Sequence, residues 1–142
     1  VAVVDADKAL RNSNQAKAFQ AQMTEQFAPE FQRLQGLADE GKALNEKIQK
    51  EADFLSDADK KALLLKVQSK GAEFQKLRSD LAKLEQQRWN VFIKEIGPKV
   101  TDIMNGLVKK HALDLIIRKE AAFYVNPQLD LTAEVIEELH KQ

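Results

Sequence analysis

Apolar residues recur at three- and four-residue steps through most of this chain, but the rhythm breaks at both ends. Val1-Ala-Val-Val-Asp5 is a continuous apolar run rich in β-branched residues, which predicts a short strand buried on both faces. Leu113–Arg118 and Ala121–Val125 predict two more strands, with a polar turn at Arg118–Glu120 between them. Asn126-Pro127 stops the last of these, because proline has no donor for a ladder. Asp130 or Thr132 then caps a closing amphipathic helix whose apolar face is Val135, Ile136 and Leu139.

The middle of the chain has the helical period. Phe19, Met23, Phe27, Phe31, Leu34, Leu37, Leu44 and Ile48 predict a first helix over Asn14–Ala52, about 60 Å long at the helical rise. Ser56, with Asp59 at the third position, caps a second helix. Its apolar stripe is Leu63, Val67, Phe74, Leu77, Leu81 and Leu84. After Leu84 the stripe changes phase to Trp89, Phe92, Ile96, Val100, Ile103 and Leu107, which turns the apolar face toward a different neighbour. Gly97-Pro98 is expected to interrupt the helix before Val100–Lys110 resumes it.

Two long helices on a short linker close most simply as an antiparallel hairpin. Folding the chain at Ser56 sets Ile48 against Leu63 or Leu64, Leu44 against Val67, Leu37 against Phe74 and Phe31 against Leu81. It also sets Phe27 against Leu84, Phe19 against Phe92 and Gly41 opposite Gly71. The expected fold class is α+β and predominantly helical: a long antiparallel coiled-coil arm on a small β body built from both chain ends. The body takes residues 1–13 and 97–142, the arm residues 14–96, and the tip lies near 53–57. Interior glycines each cost about 1 kcal/mol of helix stability relative to alanine, so Gly36, Gly41 and Gly71, with Pro29, mark a candidate arm hinge.

Three consecutive leucines, Leu63-Leu64-Leu65, span roughly 200° of a helix surface and cannot all share one seam. Leu63 packs in the seam, Leu64 sits at its margin and Leu65 faces out. Phe54 and Leu55 fall at the tip, where little protein is left to cover them.

Composition narrows the functional classes. Lys+Arg and Asp+Glu both number 22, so the net charge is zero and nothing draws the chain globally toward nucleic acid or an anionic membrane. Cysteine is absent, which removes disulfides and thiolate metal sites. No apolar run reaches about 18 residues, which excludes a spanning helix. Candidate chemistry is sparse. His111 follows Lys109-Lys110 at a helix end, where a cation complements the macrodipole, and His140 is close to the C-terminus. Asp5 and Asp7 read as a strand end and a helix cap rather than a metal pair. Trp89 and Tyr124 read as packing residues of the body. No nucleophile elbow, phosphate loop or zinc spacing is present, and the carboxylates lie on solvated faces, so neither enzymatic activity nor a cofactor is expected.

VAVVD at the start, the long charged hairpin, and DLIIRKEAAFYVNPQLDLTAEVIEEL near the end together resemble the Skp/OmpH-like periplasmic chaperones over nearly the whole chain. The resemblance implies a homotrimer whose strands form a central body and whose arms enclose a cavity. It implies ATP-independent holding of unfolded outer-membrane β-barrel proteins in the periplasm, with a signal peptide removed ahead of Val1. On that reading Phe54, Leu55, Leu64 and Leu65 contact the client, and Val1, Val3, Leu115, Ile117, Phe123 and Val125 belong to the oligomerisation body. Nucleic acid is not an expected partner and membrane contact is at most indirect. Family members are often strongly basic whereas this chain is neutral, so weaker long-range capture follows and no lipopolysaccharide site is carried over. Two alternatives compete. A prefoldin-like subunit keeps its strands mid-chain, which this sequence does not. An adaptor coiled coil for one partner helix would have a uniform heptad, which Pro29, the glycines and the phase change break.

Overall fold

The computed structural model describes all residues, 1–142. In order, the elements are β1 (Ala2–Val4), α1 (Ala6–Arg11), α2 (Asn14–Gln26), α3 (Ala28–Lys50), α4 (Asp57–Lys110), β2 (Ile116–Arg118), 3-10 turns at Lys119–Ala121 and Pro127–Leu129, and α5 (Thr132–His140). They form two compact units, Val1–Met23 with Trp89–Gln142, and Thr24–Arg88. The sequence division at residues 13/14 and 96/97 is therefore set beside an observed division at 23/24 and 88/89. Phe19, Trp89 and Phe92 form an aromatic cluster with ring centroids 5.0–5.6 Å apart, Phe19 stacked on Phe92 and edge-on to Trp89, which groups them with the chain ends.

In the first unit β1 is buried along its whole length because both of its edges are used. It pairs in parallel with β2 in the register Ala2↔Ile116, Val3↔Ile117 and Val4↔Arg118. On its other edge the Leu131 N–H donates to the Val3 carbonyl at 2.9 Å, and Val3 bridges Asp130. A parallel pair needs a long crossover, here everything between the two ends of the chain. The core beneath is Val4, Ala9, Ile96, Ile103, Leu107, Val135 and Leu139. Asp5 caps α1 by accepting the Lys8 N–H at 3.0 Å. Ser13, fully buried, donates to the Leu10 carbonyl at 2.6 Å and accepts from the Ala16 N–H at 3.1 Å, closing α1 and opening α2. The end of α4 is a Schellman turn: Leu113 N–H bonds the Val108 carbonyl, Ala112 N–H bonds the Lys109 carbonyl, and Ala112 takes φ 49°.

The second unit is an antiparallel pair of helices, and its cross-contacts follow the register of a fold at Ser56. Arg33 pairs with Glu73 at 3.1 Å, Glu40 with Lys70 at 2.9 Å, and Arg88 donates to Gln26 at 3.1 Å. Ser56 caps α4, accepting the Asp59 N–H at 3.1 Å. Phe27, Leu37 and Leu81 are buried, and Leu34, Leu44, Ile48, Leu63, Val67, Phe74 and Leu77 are half-buried, as a two-helix seam requires.

Four expectations are corrected. Gly97-Pro98 does not interrupt α4, which runs unbroken through Pro98. Part of the clash that disfavours an α conformation before proline is with the preceding residue's Cβ, which Gly97 lacks, so the strain at this position is reduced. The first long helix instead divides at Phe27. Pro29, in the first turn of α3, cannot donate to the turn before it, so α3 starts afresh. Ala121–Val125 is not a strand: the chain leaves the sheet through the Lys119–Ala121 turn, and both edges of β1 are already occupied. Tyr124, expected to pack, is 82% exposed on that departing segment.

Candidate functional site

The only dense apolar packing of Thr24–Arg88 is its seam, so what lies off the seam decides what this unit can touch. At the tip Phe54 and Leu55 N–H groups both donate to the Glu51 carbonyl, at 2.9 and 3.0 Å, folding the linker into a tight turn. That turn leaves Phe54 88% exposed, while Leu55 is half-buried. About two helical turns into α4, Leu64 and Leu65 are 50% and 56% exposed and Leu63 is half-buried, as a 100° step predicts when the seam holds one leucine of three. The charges alongside are arranged as exposed pairs. Lys70, through a hydrogen bond and then its charge, holds the Glu40 carboxyl below its usual range. Such pairs orient the surface and add little stability.

Gly41 and Gly71 line one side of an open notch of about 570 Å³ together with Leu37, Val67 and Phe74. Beyond the adjoining backbone of its own helix, no atom lies within 4 Å of where a Cβ would stand on either glycine, or on Gly36. Gly36 and Gly41 lie within α3 and Gly71 within α4, with ordinary helical backbone, and Pro29 sits in the first turn of α3. The glycines therefore leave a gap in the hairpin where side chains would otherwise interlock.

In the unit built from the chain ends, the residues expected for the oligomerisation body divide sharply. Val3 is buried within the chain and Ile117 and Val125 are half-buried. Val1, Leu115 and Phe123 are exposed at 62%, 50% and a full 112%. A polar clip holds this region. Lys119 pairs with Asp130 at 2.8 Å, Asp130 accepts from the Thr132 hydroxyl and N–H, and the Thr132 hydroxyl accepts from the Asp5 N–H at 3.0 Å. The Lys119 bond, followed by the Thr132 hydroxyl, holds the Asp130 carboxyl down at about 2. A second clip joins His111 to Glu134 at 2.8 Å, with Lys110 3.7 Å away, and the His111 bond lowers the Glu134 carboxyl. His111 is thus a hydrogen-bond partner of Glu134 as well as a helix-end residue. Asp5 caps α1 and Asp7 pairs with Arg11 at 3.1 Å.

Sequence reading missed Val91 and Ile93, exposed at 54% and 40%, and it placed Phe31 and Leu84 in the seam, although each is 39% exposed. The change of stripe phase at Leu84 is the signal that could have found three of them: where the apolar face swings, residues on its margin are left uncovered. No helix is long and apolar enough to cross a membrane.

Residues 1–139 match the family described as outer membrane protein (OmpH-like). The chain belongs to the OmpH-like family. It is 27% identical over 141 residues to the Skp-like protein of Pseudomonas aeruginosa PAO1, covering 99% of this chain and 84% of that one. Its fold is similar to the crystal structure of an OmpH-like protein of Caulobacter crescentus CB15, named as a candidate outer membrane chaperone. That similarity has a TM-score of 0.57 at 14% identity and covers 99% of this chain and 83% of that one, which shows the shared fold. The OmpH-like match extends over the strand, the hairpin and the closing helix alike, so it rests on both units.

Proposed function

We propose that this chain is an ATP-independent holdase that keeps unfolded outer-membrane β-barrel proteins from aggregating in the periplasm. The observation that carries the reading is the set of exposed apolar side chains on an otherwise charged helical hairpin in an OmpH-like protein: Phe54, Leu64 and Leu65, with Leu55 beside them. Dispersed apolar contacts of this kind suit an extended client that has no fixed shape, since each contact is weak and none demands a particular sequence. Polar groups between them keep the arm soluble when no client is held.

Assembly is the second part of the proposal. Val1, Leu115 and Phe123 lie open in the single subunit, and three subunits sharing this surface would cover them and complete the short sheet. Three arms around one space would then enclose a client by avidity. Gly36, Gly41 and Gly71, with Pro29, give each arm a place to adjust its width, because the seam there lacks interlocking side chains.

The test replaces Phe54, Leu55 and Leu65 with serine and measures how well the protein suppresses aggregation of a urea-unfolded outer-membrane barrel protein. Several-fold weaker holding with unchanged sedimentation is expected. Unchanged suppression would refute the contact surface. A chain that ignores the unfolded barrel altogether would leave an adaptor role for the hairpin.

A further inference from the structure

Two aromatic sites on this chain are nearly naked, and their backbones differ. Around Phe54 the chain is a turn, with two N–H groups tied to Glu51. Around Phe123 and Tyr124, 112% and 82% exposed, it is irregular and bent at Phe123, and the main-chain groups of Phe123, Tyr124 and Val125 make no hydrogen bond within the chain. The flanks of that segment are fixed. Ala122 and Asn126 have extended dihedrals, ψ 136° and 126°. Ala122 N–H donates to the Lys119 carbonyl at 3.1 Å, and the Asn126 side chain accepts from the Gln128 N–H at 3.0 Å. The Lys119–Asp130 ion pair closes the loop at its base. The result is a short irregular segment fixed at both ends, with the main-chain hydrogen-bonding groups of Phe123, Tyr124 and Val125 unpaired within the chain.

A partner that draws such an unpaired segment into extended form adds it as a strand, pairing with its main chain and seating alternate side chains in pockets. An endoprotease with an apolar primary pocket does this with an aromatic side chain beside the bond it cuts. We propose that Ala122–Val125 is a cleavage site for a serine endoprotease of aromatic specificity, open in the single subunit and closed by assembly. The inference rests on the oligomer reading above. In the step, the amide after Phe123 or Tyr124 is hydrolysed: its C–N bond breaks, water supplies the hydroxyl to the carbonyl carbon, and the amine leaves with the proton. One cut detaches α5, which carries Val135 and Leu139, both at 0% exposure, from the rest of the chain. Loss of α5 would dismantle the core, so unassembled subunits would be removed while assembled ones persist.

Limited digestion of the full chain with chymotrypsin, along a dilution series followed in parallel by sedimentation, tests this. The Leu115→Lys variant, which sets a charge on the shared surface, supplies a free subunit if the wild-type chain stays assembled at every dilution. In the free subunit the first cut is expected after Phe123 or Tyr124, about tenfold slower in the assembled protein, and absent from Phe123→Ser/Tyr124→Ser in the Leu115→Lys background. A first cut at Phe54 in the free subunit would overturn the proposal, as would equal cutting of 122–125 in the assembled one. A wild-type chain that sediments as a single subunit throughout would instead sink the oligomer reading and the assembly gate with it, and sedimentation reports that separately from the site of the cut.

Discussion

In the unit made from the chain ends, Val135 and Leu139 are wholly buried and β1 has a neighbour on each edge. In Thr24–Arg88 only Phe27, Leu37 and Leu81 are buried, and the rest of the seam is half open. Both units use the same aliphatic residues. What differs is closure: helix, strand and turn surround a point in the first, whereas two helices can cover only one line in the second. The first unit therefore has the means to hold one fixed arrangement, and the second has apolar surface left over. A protein that must be both a stable support and an undiscriminating surface can divide the two tasks in this way.

The contrast is open to direct attack. Leu139→Ala should cost about 3–4 kcal/mol by urea denaturation, near the upper part of the range for a closed core. Leu37→Ala, equally buried but bordering the Gly41–Gly71 notch, should cost about 2 kcal/mol, since the gap can collapse. Equal costs would erase the distinction. Gly41→Ala with Gly71→Ala should stabilise the hairpin by about 1 kcal/mol per site, because both positions are helical and have room for a methyl group. Slower amide exchange confined to Thr24–Arg88 would show it, and no change in exchange would remove the notch as a weak point. Ala112→Gly should stabilise the other unit by about 1 kcal/mol, relieving a left-handed conformation that L side chains resist.

Acid sharpens the comparison further. The Asp130 carboxyl is held at about 2 against an ordinary 3.8, so its contribution is complete above the ordinary value and is lost as pH falls toward the lowered one. Melting temperatures measured from pH 5 down to pH 2 should therefore fall less steeply for Asp130→Asn than for the wild-type chain. The Glu40–Lys70 pair is exposed, and Glu40→Gln should leave the profile almost unchanged.

Most of the helical architecture was legible because it depends on period. The pairing of Leu37 with the Val67–Phe74 stretch follows from spacing, the Ser56 reversal from spacing and a capping residue, and the burial of β1 from its unbroken β-branched run. The errors arose where one local rule met another. Proline usually stops a helix, but Gly97 eases the crowding at Pro98, while Pro29, two residues past Phe27, does set a boundary. Ala121–Val125 has strand composition, yet composition cannot say whether a sheet edge is free. Ser13, which separates α1 from α2, was missed because a serine among polar residues carries no periodic signal. Of the surface residues, Phe54 and Leu65 were recognisable from tip position and from helical angle. Val91 and Ile93 were signalled only indirectly, by the phase change at Leu84, since an apolar residue looks the same in sequence whichever way its helix faces.

Trp89 is the sole tryptophan, wedged among Phe19 and Phe92 with the Arg11 guanidinium 4.9 Å above its ring. Intrinsic fluorescence of this protein is thus a one-point gauge: its colour reports whether α1 and α2 still grip α4 near their junction. Opening of the distal turn would pass without an optical trace, so a lamp trained on Trp89 and an amide-exchange clock kept on Phe54 would time two separate events.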